Sequence, residues 1–211
     1  MIEAYAATLV GVALAQASPG PNLLAVAGMA LGHGRRLAIV TVLGVAMAML
    51  VWAVAVASGL GTLLAIYLSL LAATKLVGGA YLAFLGAKAL LSARRGKRAA
   101  IAAETRPVTT FGAWRRGFLV VLTNPKAALM WAAVGTYLFG SGLSAAQVAG
   151  FGPVGAVSGF LIYGTYALLF STGTASRAYA RFSRVVDAAM GAVFGLLGAR
   201  LLIDGMREIR A

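Results

Sequence analysis

Two short stretches of this chain hold the residue types that could do chemistry in an apolar setting: Ser18-Pro19-Gly20-Pro21-Asn22 and Thr123-Asn124-Pro125-Lys126. Proline has no N–H to donate, and its ring clashes with the carbonyl four residues earlier. Pro19 and Pro21 therefore release the carbonyls of Ala15 and Ala17, and Gly20 adds backbone freedom. Asn124-Pro125 reads as a helix start, with asparagine as N-cap and proline at the first helical position. The N–H groups of Lys126, Ala127 and Ala128 are then expected to project into the protein, as are those of Asn22, Leu23 and Leu24 after Pro21. Helix ends of this kind bind anions through unpaired donors and the positive end of the helix dipole, and a carboxylate suits them. The bland alternative is that each proline only bends a helix whose neighbours fill the gap. Two matched breaks, each beside an asparagine, favour a binding site.

The candidate substrate-binding residues are Asn22, Asn124, Lys126 and Lys75, with the backbone at Gly20, Pro21 and Pro125, and Ser18, Gln16 and Thr123 as secondary members. Lys75 and Lys126 sit inside apolar runs. A lysine near the middle of a membrane span costs roughly 2.5–3.5 kcal/mol on the insertion scale, so an interior partner or a wet cavity is expected. The alternative is snorkelling along the four-carbon stem. Asp187 is the one carboxylate near a span interior; it pairs with Arg184 or Arg181 at the inner surface or, on the other reading, couples transport to an ion. His33 reads as interfacial. No nucleotide-binding loop, clustered metal ligands or catalytic triad occurs in the sequence, so neither enzyme activity nor a cofactor is expected.

The elements that must position these residues are membrane spans. The chain has 211 residues, is 61% hydrophobic and 11% charged, and has a mean hydropathy of +0.91. Soluble domains average about 45–50% apolar and about 25% charged. Apolar runs of about 20 residues, each able to cross a hydrocarbon core of about 30 Å, recur along the sequence. Six spans are expected, near Ala4–Leu31, Leu37–Leu64, Tyr67–Leu91, Gly117–Phe139, Ala146–Thr172 and Val185–Met206. Ala13-Leu14-Ala15-Gln16-Ala17 resembles a signal-peptidase site, but the preceding residues carry Glu3 and no basic residue, so the first span is read as retained.

The net charge of +13 resides mostly in loops one, three and five: His33, Arg35 and Arg36; Arg94 to Arg116; Arg177, Arg181 and Arg184. Loops two and four hold no charge. This is an orientation signal and a contact for membrane lipid, not a nucleic-acid surface. It places the basic loops in the cytoplasm and both termini outside. Cysteine is absent, which removes disulfides and thiolate metal sites.

An internal repeat orders the spans. Gly79-Ala80-Tyr81-Leu82-Ala83-Phe84-Leu85-Gly86-Ala87-Lys88 aligns without gaps to Gly191-Ala192-Val193-Phe194-Gly195-Leu196-Leu197-Gly198-Ala199-Arg200, a shift of 112 residues. In a second pairing, Thr123-Asn124-Pro125-Lys126 sits in span four where Gly20-Pro21-Asn22 sits in span one, with the prolines aligned. Halves of three spans each have opposite orientation, because three is odd, which is the inverted-repeat arrangement of many secondary transporters. The expectation is one all-α transmembrane domain over residues 1–211, with halves of about 1–92 and 112–211 joined by a basic cytoplasmic loop at about 93–116, and spans one and four broken at their prolines. Gly28/Gly32, Gly155/Gly159 and Gly191/Gly195 have the spacing for close helix approach, and such faces permit a homo-oligomer.

Taken together, Ser18-Pro19-Gly20-Pro21-Asn22, Lys75 with Gly79-Ala80-Tyr81-Leu82 and Gly86, and Asn124-Pro125-Lys126 resemble the LysE/RhtB family of amino-acid exporters, over essentially the whole chain. The resemblance implies a multi-pass carrier of the bacterial inner membrane that exports amino acids or close derivatives, driven by a proton or another coupling ion. Asp187 departs from the family pattern, which leaves the coupling residue open. The reading from another class is a membrane scaffold or partner subunit that transports nothing, its proline breaks filled by packed side chains.

Overall fold

Apolar residues at helical spacing, punctuated by proline and glycine, fold here into helices. A computed structural model describes residues 1–60, 76, 79–80, 83–84, 86–91, 93–94, 101, 103–172, 185, 188–189, 191–192, 195–196, 198–200, 202–203 and 205–207. Every regular element among the described residues is helical. The chain divides into two compact units, Met1–Gly61 with Ile101–Arg177, and Thr62–Ala100 with Ala178–Ala211.

The first unit holds α1 (Ile2–Ala17), α2 (Pro21–Ala55) running into a π-helical turn (Val56–Leu60), α3 (Thr110–Leu122), α4 (Pro125–Gly140) and α5 (Ala145–Phe170). Their starts follow from local chemistry. Thr109 caps α3 by accepting from Gly112 N–H, and Asn124 caps α4 by accepting from Lys126 N–H. Ser144 and Gln147 form a reciprocal capping box on α5. Pro21 and Pro125 each occupy the first turn of their helix, where the missing N–H removes nothing.

Two described helices are long and apolar enough to cross a membrane: the stretch Pro21–Gly59, of 39 residues, and Ala145–Phe170, of 26. A third span results if α3 and α4, bent by 59° at their junction, count as one. At 16 residues, α1 is about 24 Å long and falls short of a hydrocarbon core by itself. Within α2 the path breaks at Gly34, whose φ of 75° and ψ of −178° lie in a region essentially reserved for glycine. Gly34 lies in the basic stretch that the sequence marks as loop one, so the link is one glycine turn between helical residues.

Two sequence expectations are corrected here. The fourth span was expected to begin at Gly117, but α3 starts at Thr110, about two turns earlier. Hydropathy hides this start because Arg115 and Arg116 lie on the helix itself, with Arg116 paired to Glu104. Phe111, Trp114 and Phe118 stack along the same helix at centroid distances of 5.6 and 5.0 Å, an aromatic flank suited to a membrane interface. The second correction concerns Gly28 and Gly32, read as a helix-packing pair. They admit the backbone at Glu104 instead: Glu104 N–H donates to Gly28 O at 3.0 Å, and a Cβ on Gly32 would meet the Glu104 backbone.

The close helix approach in this unit lies elsewhere. A Cβ on Gly44 would strike Trp114 O, and one on Gly117 would strike Thr41 O, so the α2 and α3 backbones touch at two reciprocal glycines. Along α5, Gly152 faces Ala53, and Gly159 faces the Met49 sulfur. Lipid offers no hydrophobic drive to join helices, so such backbone contact supplies the dispersion that holds them together.

In the second unit, described helical residues fall between 76 and 94 and between 185 and 207. Their glycines meet in pairs. A Cβ on Gly79 would lie 2.9 Å from Gly198 O and 2.9 Å from Leu202 N, and one on Gly191 would lie 3.0 Å from Gly86 O and 2.7 Å from Leu90 Cγ. One on Gly86 would lie 2.7 Å from Gly195 N.

Candidate functional site

The site grows from the three residues between α1 and α2. Ser18 is extended, with φ −71° and ψ 142°, as the residue before a proline must be. The carbonyls of Ala15 and Ala17 have no helical donor, because Pro19 and Pro21 carry none. Ser18 Oγ donates to Ala15 O at 2.7 Å, and Tyr166 OH of α5 donates to Ala17 O at 2.7 Å. Both freed acceptors are thus satisfied, as backbone at membrane depth requires.

Across from this break lies the start of α4. Asn124 Nδ2 donates to Asn22 Oδ1 at 3.0 Å, and Asn22 Nδ2 donates to Tyr163 OH at 3.3 Å. Lys126 extends its ammonium back to the break, donating to Ser18 O at 3.3 Å and to Ser18 Oγ. It does not run along its stem to an interface. Gly20 lies against the same ammonium: a Cβ there would sit 3.5 Å from Lys126 Nζ, in ordinary van der Waals contact. Asn22, Asn124, Ser18 and Gln16 are all buried.

Gln16 ties α1 to α5. Its Nε2 donates to Gly155 O at 3.0 Å, and Ser158 Oγ donates to its Oε1 at 2.9 Å. These groups surround a cavity of about 20 Å³, lined among others by Ser18, Asn22, Asn124, Lys126, Trp131 and Tyr163. A volume of about 10–15 Å³ suffices for one water. The cavity as it stands holds about a water molecule and no amino acid.

The two helix starts differ in a way the sequence did not reveal. At α4, Lys126 N–H is taken by Asn124 Oδ1 at 3.0 Å, and the N–H groups of Ala127 and Ala128 reach Asn124 O at 2.9 and 3.1 Å. The three donors expected to be open are therefore occupied, because the N-cap asparagine folds onto its own helix. At α2, Leu24 N–H is likewise used, donating to Gly20 O at 3.0 Å. Gly20, however, has no side chain with which to cap Asn22 and Leu23. The uncapped positive end is that of α2, and the Lys126 ammonium lies beside it.

The structure brings Gln16, Ser18, Gly20, Asn22, Asn124 and Lys126 to one cavity. Pro21, Pro125 and Thr123 are exposed and do not line it; Thr123 Oγ1 donates to Leu119 O of its own helix at 2.8 Å. Lys75 and Asp187 lie outside the described residues. Sequence reasoning missed Tyr163, Tyr166, Met49 and Trp131. The tyrosines had left a signal: a hydroxyl in the apolar run of α5 must find a partner, and the breaks had acceptors to offer.

Polar groups thus converge among apolar helices on a cavity beside the α1–α2 and α3–α4 breaks. The family described as LysE type translocator matches residues 13–205. The chain belongs to this family. It is a multi-pass membrane translocator and not an enzyme. An uncharacterized membrane protein of Haemophilus influenzae is 30% identical over 199 residues, covering 91% of this chain and 92% of its own length. The threonine efflux protein of Salmonella typhimurium is 28% identical over 188 residues, covering 89% and 91%, and that of Escherichia coli K12 is 28% identical over 190 residues, also covering 89% and 91%. No solved structure matches the chain. As a LysE type translocator, the protein must pass a small molecule through the region just described or open another path through its helices.

Proposed function

We propose that this translocator is a secondary carrier that exports amino acids or close derivatives across the bacterial inner membrane by alternating access, driven by the proton gradient. The observation that carries the proposal is the pair of opposed helix ends at the α1–α2 break. The C-terminal end of α1 presents carbonyl oxygen, with Ser18 O already holding an ammonium. The N-terminal end of α2 presents the uncapped N–H groups of Asn22 and Leu23. An amino acid has the same two charges a few ångströms apart. Its carboxylate goes to the α2 end, steadied by Asn22, Asn124 and the Lys126 charge; its ammonium goes to the carbonyl end.

The cavity of about 20 Å³ supports alternation rather than a pore. Cargo enters only when the Asn22–Asn124–Tyr163 links and the Lys126–Ser18 link open, so the described form is a closed one. Names of the relatives point to threonine as a first cargo to try. The proton as coupling ion comes from the family resemblance.

The inverted repeat belongs to the same proposal, and the second unit supports it. The 112-residue shift exchanges 79 with 191, 83 with 195, 86 with 198 and 90 with 202. It therefore turns the contacts of Gly79 with Gly198 and Leu202 into those of Gly191 with Gly86 and Leu90, and both sets are present. It also turns the approach of Gly198 to Ala83 into that of Gly86 to Gly195, and both of these occur. Two halves related by a pseudo-two-fold axis account for this exchange. Each compact unit, moreover, draws on both sequence halves.

The test is purified protein in liposomes preloaded with labelled threonine and, in turn, other amino acids, with and without an imposed pH gradient. Accelerated release that grows with the gradient supports the carrier. Folded protein that releases no amino acid under any gradient would return the chain to the scaffold reading.

A further inference from the structure

The chain has three tryptophans. Trp52 Nε1 donates to Val121 O at 3.4 Å, and Trp114 Nε1 donates to the Met47 sulfur at 3.3 Å. Trp131 Nε1 is buried with no hydrogen-bond partner, although the residue is only 1% exposed and lines the cavity of the site. Its ring is held from both sides. Phe151 meets it edge-on at a centroid distance of 6.4 Å, and the missing side chain of Gly155 leaves room for its six-membered ring, whose Cη2 lies 3.3 Å from where a Cβ would stand.

An N–H left unpaired in an apolar interior forfeits a hydrogen bond outright. The other polar side chains around the cavity are satisfied: Asn22 with Asn124 and Tyr163, Lys126 with Ser18, Gln16 with Gly155 and Ser158. Trp131 is the polar side chain among them whose bond is missing in the closed form. Trp131 lines the cavity that cargo would enter on the carrier reading.

We infer that Trp131 is a specificity-determining residue, whose buried indole N–H is reserved for an acceptor oxygen on the cargo's side chain. The inference rests on the carrier reading above and adds a cargo class: small amino acids with a side-chain hydroxyl or carbonyl, in preference to those of equal size ending in methyl. Cargo with an acceptor completes the missing bond; cargo without one keeps the donor orphaned. A site built to hydrogen-bond a ligand rejects the analogue lacking the group more strongly than an apolar pocket rejects an extra hydroxyl. The discrimination expected from one buried donor is roughly five- to hundredfold.

The experiment uses isosteric pairs in the liposome exchange assay, threonine against valine and serine against 2-aminobutyrate, for wild type and Trp131→Phe, which keeps an aromatic ring and removes the N–H. Wild type should favour the hydroxyl member at least fivefold, and Trp131→Phe should bring each ratio within twofold. An unchanged ratio in the variant, or no preference in wild type, overturns the inference while leaving the carrier standing. Failure of every amino acid to exchange overturns both. A second measurement covers a variant that does not fold: in wild-type protein labelled with ¹⁵N-tryptophan, the three indole signals are assigned with Trp52→Phe and Trp114→Phe. The Trp131 signal should shift on adding threonine and stay in place with valine; no shift with threonine also overturns the inference.

Discussion

Asn124 does two jobs that one substitution pair can separate. Its Oδ1 caps α4 by accepting from Lys126 N–H at 3.0 Å, and its Nδ2 donates across the site to Asn22 Oδ1 at 3.0 Å. Asn124→Ala removes both. Loss of an N-cap costs about 1 kcal/mol, and an interhelical hydrogen bond in a membrane protein is worth about 0.6 kcal/mol on average. Asn22, only 6% exposed, is left with an acceptor facing no donor, which brings the total to about 2–3 kcal/mol. For a chain of this size that corresponds to a fall in melting temperature of roughly 4–12 °C. Asn124→Asp keeps an acceptor for the Lys126 amide but loses the donor, and sets a carboxylate against Asn22 Oδ1 and against the incoming carboxylate of the cargo. The cap is retained, and exchange in liposomes should fall at least tenfold. Thermal unfolding in detergent, followed by intrinsic fluorescence, and exchange on the same preparation provide the two readouts. Wild-type exchange by Asn124→Asp would remove Asn124 from the carboxylate site. An alanine variant as stable as wild type would refute the reasoning about the cap.

Three further outcomes are expected. Gly34→Ala forces a φ of 75° with ψ −178° on a residue that avoids it and should lower stability by about 1–3 kcal/mol, although no atom lies within 4 Å of the new Cβ; a melting temperature equal to wild type would exclude this backbone conformation. Gly117→Ala drives a methyl into the Thr41 carbonyl and should separate α2 from α3, destabilising by about 1–3 kcal/mol or more, whereas Gly140→Ala meets nothing and should stay within about 0.5 kcal/mol; equal effects in thermal unfolding would refute the reciprocal-glycine contact. Because the sequence contains no cysteine, single cysteines can report orientation: a membrane-impermeant maleimide applied to cells should label Ser141→Cys and spare Arg106→Cys, and the reverse pattern would invert the topology.

What the sequence determined by itself is the chemistry that acts within one or two helical turns. Proline at 21 and 125 and asparagine at 124 set helix starts through the loss of one donor and the gain of one cap, and those residues suffice to place them. Gly79 and Gly86 recur as Gly191 and Gly198 at a shift of 112 residues, an identity visible without coordinates, and the repeat it suggests belongs to the proposal. The tertiary structure decided which groups are satisfied. It closed Lys126, Ala127 and Ala128 N–H onto Asn124, left α2 as the uncapped end, and placed Tyr163 and Tyr166 at the break from 141 and 149 residues away. It also turned Gly28 and Gly32 toward Glu104 rather than toward a helix, and left Trp131 without a partner inside the site. A donor's need for a partner is written in its residue type, but the partner depends on which helix faces pack together, and faces of nearly uniform apolarity carry no pattern that reveals it.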